Sequence, residues 1–238
     1  MYGGKLIVKN DEGIRERHEW GRLNKLLCKE TTADDEFTFG EITYSPGGVR
    51  GPDTGDEAFH CLSGEGVFRA WPKNVPEDEP ITVRIRPGTE FYVRNDIPRT
   101  IENTGTEPLF GVSMFCHVDR PCHAHAFSHG PGDGNQIHRH GPDKYSEHLQ
   151  QDFVEAMYLI KGPGSVSVAD QTNMVVTDHV IEEGSAVFHP LGSLHRQFNP
   201  AASGEPNFWI HAGYYHGRGN VLAGVFEMPE FTFWHRER

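Results

Sequence analysis

Two histidines one residue apart, His138 and His140, open the stretch QIHRHGPDKYSEHLQQDFVEAMYLIKGPG, and Glu155 enters the apolar run near its end. A third histidine, His195, follows in GSAVFHPLGSLHRQFN. In a β-strand alternate side chains share a face, so His138 and His140 point one way and Arg139 the other. The pair alone says little. Histidine makes up 15 of 238 residues, so about one His-x-His is expected by chance, and a second occurs at His123 and His125. The glutamate and His195 add the weight, the latter delivered onto a strand by the turn Pro190-Leu191-Gly192. On neighbouring antiparallel strands, four such side chains can converge at one point inside a barrel. Imidazole with carboxylate is a ligand set for Fe, Mn, Ni, Cu or Zn.

The elements that must position them read as strands. ITVRIRPG alternates Ile81, Val83 and Ile85 with Thr82, Arg84 and Arg86, and SVSVAD alternates serine with Val166 and Val168. FTFGEITYS and NFWIHAGYY are rich in aromatic and β-branched residues. Helix signals are weak, the best being the short YSEHLQQDF from Tyr145 to Phe153. Glycine (27) and proline (16) are spread throughout, which fits short strands with frequent turns. The expected class is all-β, a sandwich or barrel.

The chain also repeats itself. EAFHCLSGEGVF begins at Glu57 and EAMYLIKGPGSV at Glu155. GTEFYVRNDIPRTIEN begins at Gly88 and GSAVFHPLGSLHRQFN at Gly184, their last residues being Asn103 and Asn199. Landmarks recurring at nearly one offset indicate two copies of one β unit.

These motifs carry a resemblance. The second half is similar to the cupins, whose motifs run G-x5-H-x-H-x3-4-E-x6-G and G-x5-P-x-G-x2-H-x3-N. The second is present as Gly184, Pro190, Gly192, His195 and Asn199; the first as Gly132, His138, His140, Glu155 and Gly162. The departure is the gap of fourteen residues between His140 and Glu155, read as a loop insertion, with Glu147 as the reserve ligand. The resemblance spans both repeats, roughly residues 37 to 215. It implies two tandem cupin (double-stranded β-helix, jelly-roll) barrels, divided as 1–118 and 119–238. It further implies one divalent transition metal per chain, held by His138, His140, Glu155 and His195. In the first repeat only Glu57 survives: Arg50 and Pro52 stand near the two histidine positions and Arg99 at the third. No metal is expected there, and Arg99 is expected to pair with Glu57.

Other residues bear on a pocket. Gln197 lies two beyond His195, on the same face, and is a substrate-binding candidate. His123 and His125 either contact substrate or sit on a partly exposed sheet. His189, before Pro190, is a pocket candidate. His211 shares a face with Trp209 and Gly213 and reads as a core or ligand-supporting histidine, kept among the pocket candidates. The aromatic tail EFTFWHRER is expected to pack on a barrel or on a second subunit.

With Lys+Arg 22 against Asp+Glu 34 the net charge is −12, which argues against nucleic acid and anionic membranes as partners. Cys28, Cys61, Cys116 and Cys122 form no CxxC pair, and the charged opening stretch has no apolar export signal. A cytoplasmic protein with reduced thiols is expected, acting on a small molecule, with a homodimer left open. Metal-site cupins span many reactions, so fold alone does not fix the chemistry. The first expectation is a dioxygenase acting on a small oxygenated compound. The alternatives are a non-oxidative isomerase or lyase of a small acid or sugar, and a non-catalytic binder.

The polar insertion from Gly141 to Asp152 has the position of a loop at the pocket mouth, where long loops act as lids. Replacing it with a four-residue turn should leave metal content unchanged and alter turnover. Wild-type steady-state kinetics in that variant would rule the lid out.

Overall fold

The alternating and aromatic runs become strands in the computed structural model, which describes residues 4–53, 55–73, 75–117, 122–129, 153–169, 176–190, 194–199, 204–215 and 231–235. The first part of the chain forms β1 (Ile7–Val8), β2 (Ile14–His18) and β3 (Gly21–Leu27). The first repeat follows as β4 (Phe37–Tyr44), β5 (Val49–Asp53), β6 (Asp56–Ser63), β7 (Gly66–Ala70), β8 (Ile81–Ile85), β9 (Thr89–Val93), β10 (Arg99–Asn103) and β11 (Leu109–Cys116). The second runs β12 (Cys122–His129), β13 (Phe153–Lys161), β14 (Gly164–Ala169), β15 (Val176–Ile181), β16 (Ala186–His189), β17 (Leu194–Phe198) and β18 (Asn207–Tyr215), with β19 (Phe231–His235) beyond. Helix is confined, among the described residues, to Lys29–Thr32 and a 3-10 turn at Asn10–Glu12. The helix read at Tyr145–Phe153 lies outside the described residues except for Phe153, which opens β13.

Pairing confirms the internal repeat. β6 sits between β9 and β11, and β11 pairs onward to β4; β13 sits between β16 and β18, and β18 pairs onward to β12. The smaller sheets match too, β10-β7-β8 answering β17-β14-β15. Turn chemistry agrees at the residue level. Gly64 and Gly162 both have φ of +88°, and a Cβ on either would come within 2.5 Å of a backbone oxygen, that of Pro108 or Pro206. The amides of Asn103 and Asn199 close equivalent turns by donating to Glu107 O (2.9 Å) and Glu205 O (2.7 Å).

The sheets stack in four layers. Phe59, Phe68, Phe91 and Ile101 fill the space between the four-stranded and seven-stranded sheets. Phe37, Phe39, Met114, Phe188 and Ile210 join the seven-stranded sheet to the five-stranded one. Met157, Leu159, Val166 and Trp209 fill the space between the five-stranded and three-stranded sheets. Three tyrosine hydroxyls in the middle contact are paired: Tyr92, Tyr158 and Tyr214 donate to Asp56 (2.6 Å), Glu41 (2.7 Å) and Glu36 (3.0 Å). β1 hydrogen-bonds to β16, and β19 to β9, so each repeat's large sheet is edged by a strand from the other half of the chain.

At the centre of the first repeat Glu57 is fully buried. Its Oε2 accepts from Nη2 of Arg50 and from Nε (2.9 Å) and Nη2 (2.8 Å) of Arg99, while Oε1 accepts from Ser113 Oγ at 3.1 Å. The expected Arg99–Glu57 pair is therefore present, and Arg50 adds a second cation. Nε of Arg50 meets Asp53 at 2.7 Å, and its guanidinium carbon lies 5.2 Å from the Phe115 ring centroid. Burial raises the Glu57 pKa, but the charges of Arg50 and Arg99 outweigh it and hold the carboxyl below its ordinary value.

Arg99→Ala should therefore destabilise the fold by about 3–5 kcal/mol in urea melts, because it strands part of a buried ion cluster. Glu57→Gln with Arg99→Met should cost less, since both charges leave together. Because the Glu57 pKa is depressed on folding, its charge stabilises above the ordinary glutamate range of about 4.3 and ceases to as pH falls through the folded value. The stability gap between the native chain and Glu57→Gln should narrow as acid is added below that range. A gap that stays constant down to about pH 2, well below the ordinary value, would contradict the ionised assignment.

Candidate metal centre

Four strands of the second repeat bring acid and imidazoles together. On β13 the residues Glu155, Met157 and Leu159 point one way, the last two into the core shared with Trp209. Register sets Glu155 between His189 of β16 and Gly213 of β18, and Met157 opposite His211. On β17, His195 lies opposite Val168 and Gln197 opposite core residue Val166. Glu155 Oε2 meets His195 Nε2 at 2.7 Å, and Oε1 meets His211 Nε2 at 2.8 Å. The His189 and His195 rings stack, with centroids 3.5 Å apart and planes 8° from parallel. Glu155 is 2% exposed and His189 not at all.

Burial disfavours a charged Glu155, but the hydrogen bonds and charge of His195 and His211 outweigh it and hold the carboxyl well below the ordinary range. An ionised carboxylate only accepts, so both imidazole Nε2 atoms donate to it. Burial, reinforced by His195, pushes His189 well below the usual histidine value and keeps its ring neutral. Both of its ring nitrogens are buried without a hydrogen-bond partner. A buried polar group left in that state costs about 1–3 kcal/mol, and a neutral imidazole with a free lone pair is a metal ligand by nature. A buried carboxylate beside such imidazoles has the chemistry a first-row divalent ion takes, so Glu155 and His195 fit one. They do not complete its shell: among the described residues no group of three or more His, Cys, Asp or Glu side chains is arranged to hold a metal.

The remaining expected ligands, His138 and His140, lie outside the described residues, as do the reserve Glu147 and the insertion 141–152. Gln197 is half-buried on the His195 face. β12 sets His123 and His125 at register positions opposite Gly213 and His211. His211, read as a core or supporting residue, holds Glu155 directly. Sequence reasoning missed how closely His189 enters the cluster. The signal was available in the repeat: Val93 stands opposite Glu57 where His189 stands opposite Glu155. A separate open groove of about 1320 Å³, lined in part by Arg17, His18, Arg22 and Glu65, takes no residue from the strands of this cluster.

No family profile and no curated protein sequence matches the chain. Solved structures do. Oxalate decarboxylase from Lactobacillus farciminis, solved as a formate complex, superposes with a TM-score of 0.69 at 11% identity, covering 91% of this chain and 87% of that one. Oxalate decarboxylase from Bacillus subtilis, studied for its Mn(II) centres, gives 0.67 at 11% identity, covering 95% and 82%. At that identity the likeness is one of fold: the chain has the all-β, jelly-roll architecture of these cupin-superfamily decarboxylases.

Proposed function

We propose that the chain is a metal-dependent enzyme built of two cupin units, 1–118 and 119–238, that removes a carboxyl group from a small acid without net oxidation. One divalent transition metal would be held in the second unit by His138, His140, Glu155 and His195. The observation that carries this reading is the buried Glu155 carboxylate joined by two imidazoles, with the unpartnered His189 ring stacked against one of them. The non-oxidative choice draws support from the decarboxylases among the structural neighbours, one studied for Mn(II) centres. The dioxygenase expectation yields to this alternative because the structural neighbours described above are decarboxylases.

The metal would supply a Lewis acid to polarise a bound carboxylate oxygen. The protein's own groups do the rest. Glu155 stays ionised at neutral pH because His195 and His211 donate to it. His211, its side chain 17% exposed, keeps a proton on Nε2 at the edge of the cluster, within reach of solvent. Gln197 offers an amide on the same face to orient substrate. Met157, Leu159 and Trp209, all fully buried, close the floor of the site against water.

Elemental analysis should find one equivalent of Mn, Fe or another first-row ion per chain. Glu155→Gln and His195→Ala should lose it, and Arg99→Met, in the other repeat, should keep it. With oxalate, malonate and small hydroxy and oxo acids supplied in turn, carbon dioxide release without oxygen uptake is the expected outcome. Oxygen consumed in step with substrate would restore the dioxygenase reading. Two equivalents of metal per chain would sink the single-site assignment.

A further inference from the structure

The cluster around Glu57 holds more hydrogen-bond donors than acceptors. Glu57 Oε2 takes Nη2 of Arg50 and both Nε and Nη2 of Arg99, and Asp53 takes Nε of Arg50. Nη1 of Arg50 and Nη1 of Arg99 are left buried with no partner, and so is the phenol oxygen of Tyr44. The three groups share one neighbourhood. Both guanidinium groups bind the same carboxylate oxygen, and the Arg50 guanidinium carbon is 5.9 Å from the Tyr44 ring centroid. They are also well removed from water: Tyr44 is 0%, Arg99 2% and Arg50 6% exposed.

Guanidinium groups donate and never accept, so the two arginines cannot satisfy each other. The two Nη1 groups carry four hydrogens between them, more than the two lone pairs of one water and the acceptor capacity of the Tyr44 oxygen comfortably take once the water's own hydrogens are placed. A carboxylate has about four lone-pair sites on two oxygens and a planar edge that suits guanidinium donors. Charge points the same way. Of the two carboxylates near the arginines only Glu57 is buried, while the Asp53 side chain is 43% exposed at the rim. Two interior cations thus face one interior anion. Trp20 and Phe115, with ring centroids 6.0 and 5.2 Å from the Arg50 guanidinium carbon, cover that guanidinium with apolar surface and supply no acceptor.

We propose that the first repeat binds a carboxylate of one or two carbons between Arg50 Nη1, Arg99 Nη1 and the Tyr44 hydroxyl, at the position answering the metal centre of the second repeat. The site is independent of the metal reading, since it uses no residue of that centre.

Calorimetric titration of the full chain with sodium formate and sodium acetate, at fixed ionic strength, tests this. Sodium chloride serves as the spherical control, and Tyr44→Phe and His195→Ala are titrated beside the native protein. Tyr44→Phe keeps the buried ring and removes a hydroxyl that bonds nothing else. Saturable binding of one equivalent is expected in the native protein and in His195→Ala, weakened about tenfold or more in Tyr44→Phe. Formate should raise the melting temperature of the first two proteins more than that of the third. Absence of saturable binding would overturn the proposal and leave water as the occupant. Unchanged affinity in Tyr44→Phe would also overturn it, as would loss of binding in His195→Ala, which puts the anion at the metal centre. Chloride binding as tightly as formate would reject the carboxylate assignment.

Discussion

Each repeat carries a buried carboxylate, and the surrounding architecture follows from how that charge is neutralised. Glu57 and Glu155 occupy equivalent places on equivalent strands, both in the middle of a large sheet and both pointing into the core of their own sheet pair. An unpaired carboxylate there would be prohibitively costly. The first repeat answers with two guanidinium groups, which are permanently charged and need no ion. The second answers with imidazoles, which are weaker partners but can exchange a proton for a metal. One fold thus holds two solutions to one electrostatic problem.

The same layering explains which parts of the chain could be read in advance. β8 lies in an outer, four-stranded sheet, and its side chains alternate between cover and solvent, so ITVRI shows a plain period of two. β6 and β9 lie in an inner sheet with a packed layer on each face, and nearly all of their residues are buried. Their alternation is erased, and what remained legible was the pair of glycine landmarks, whose positive φ only glycine adopts cheaply. Glu155 and His195 were singled out by the spacing of their motifs, and the structure brings them to 2.7 Å of each other. Arg50 was less legible: its slot was identified by alignment, but a long side chain reaching a buried acid leaves no mark in local pattern.

The pairing of β1 with β16 and of β19 with β9 was hidden for a related reason. Ile7–Val8 is too short to show a period, and the aromatics of EFTFWHRER fit a sheet edge as well as a subunit contact. Edge pairing depends on what lies across the gap, which is a property of the assembled sheets and not of the segment.

That clasp bears on how the molecule comes into being. Val93, already opposite Glu57, finds its second partner only when Phe231 has been made, and Ile7 waits for Val187. During synthesis the first repeat must wait with the outer edge of β9 uncovered, a row of backbone groups open to any passing strand. Contacts of such long sequence separation close slowly because the intervening chain must first be ordered. Final closure of both large sheets is therefore a late, mutual event, and the chain's exposure to aggregation is greatest in the interval before it.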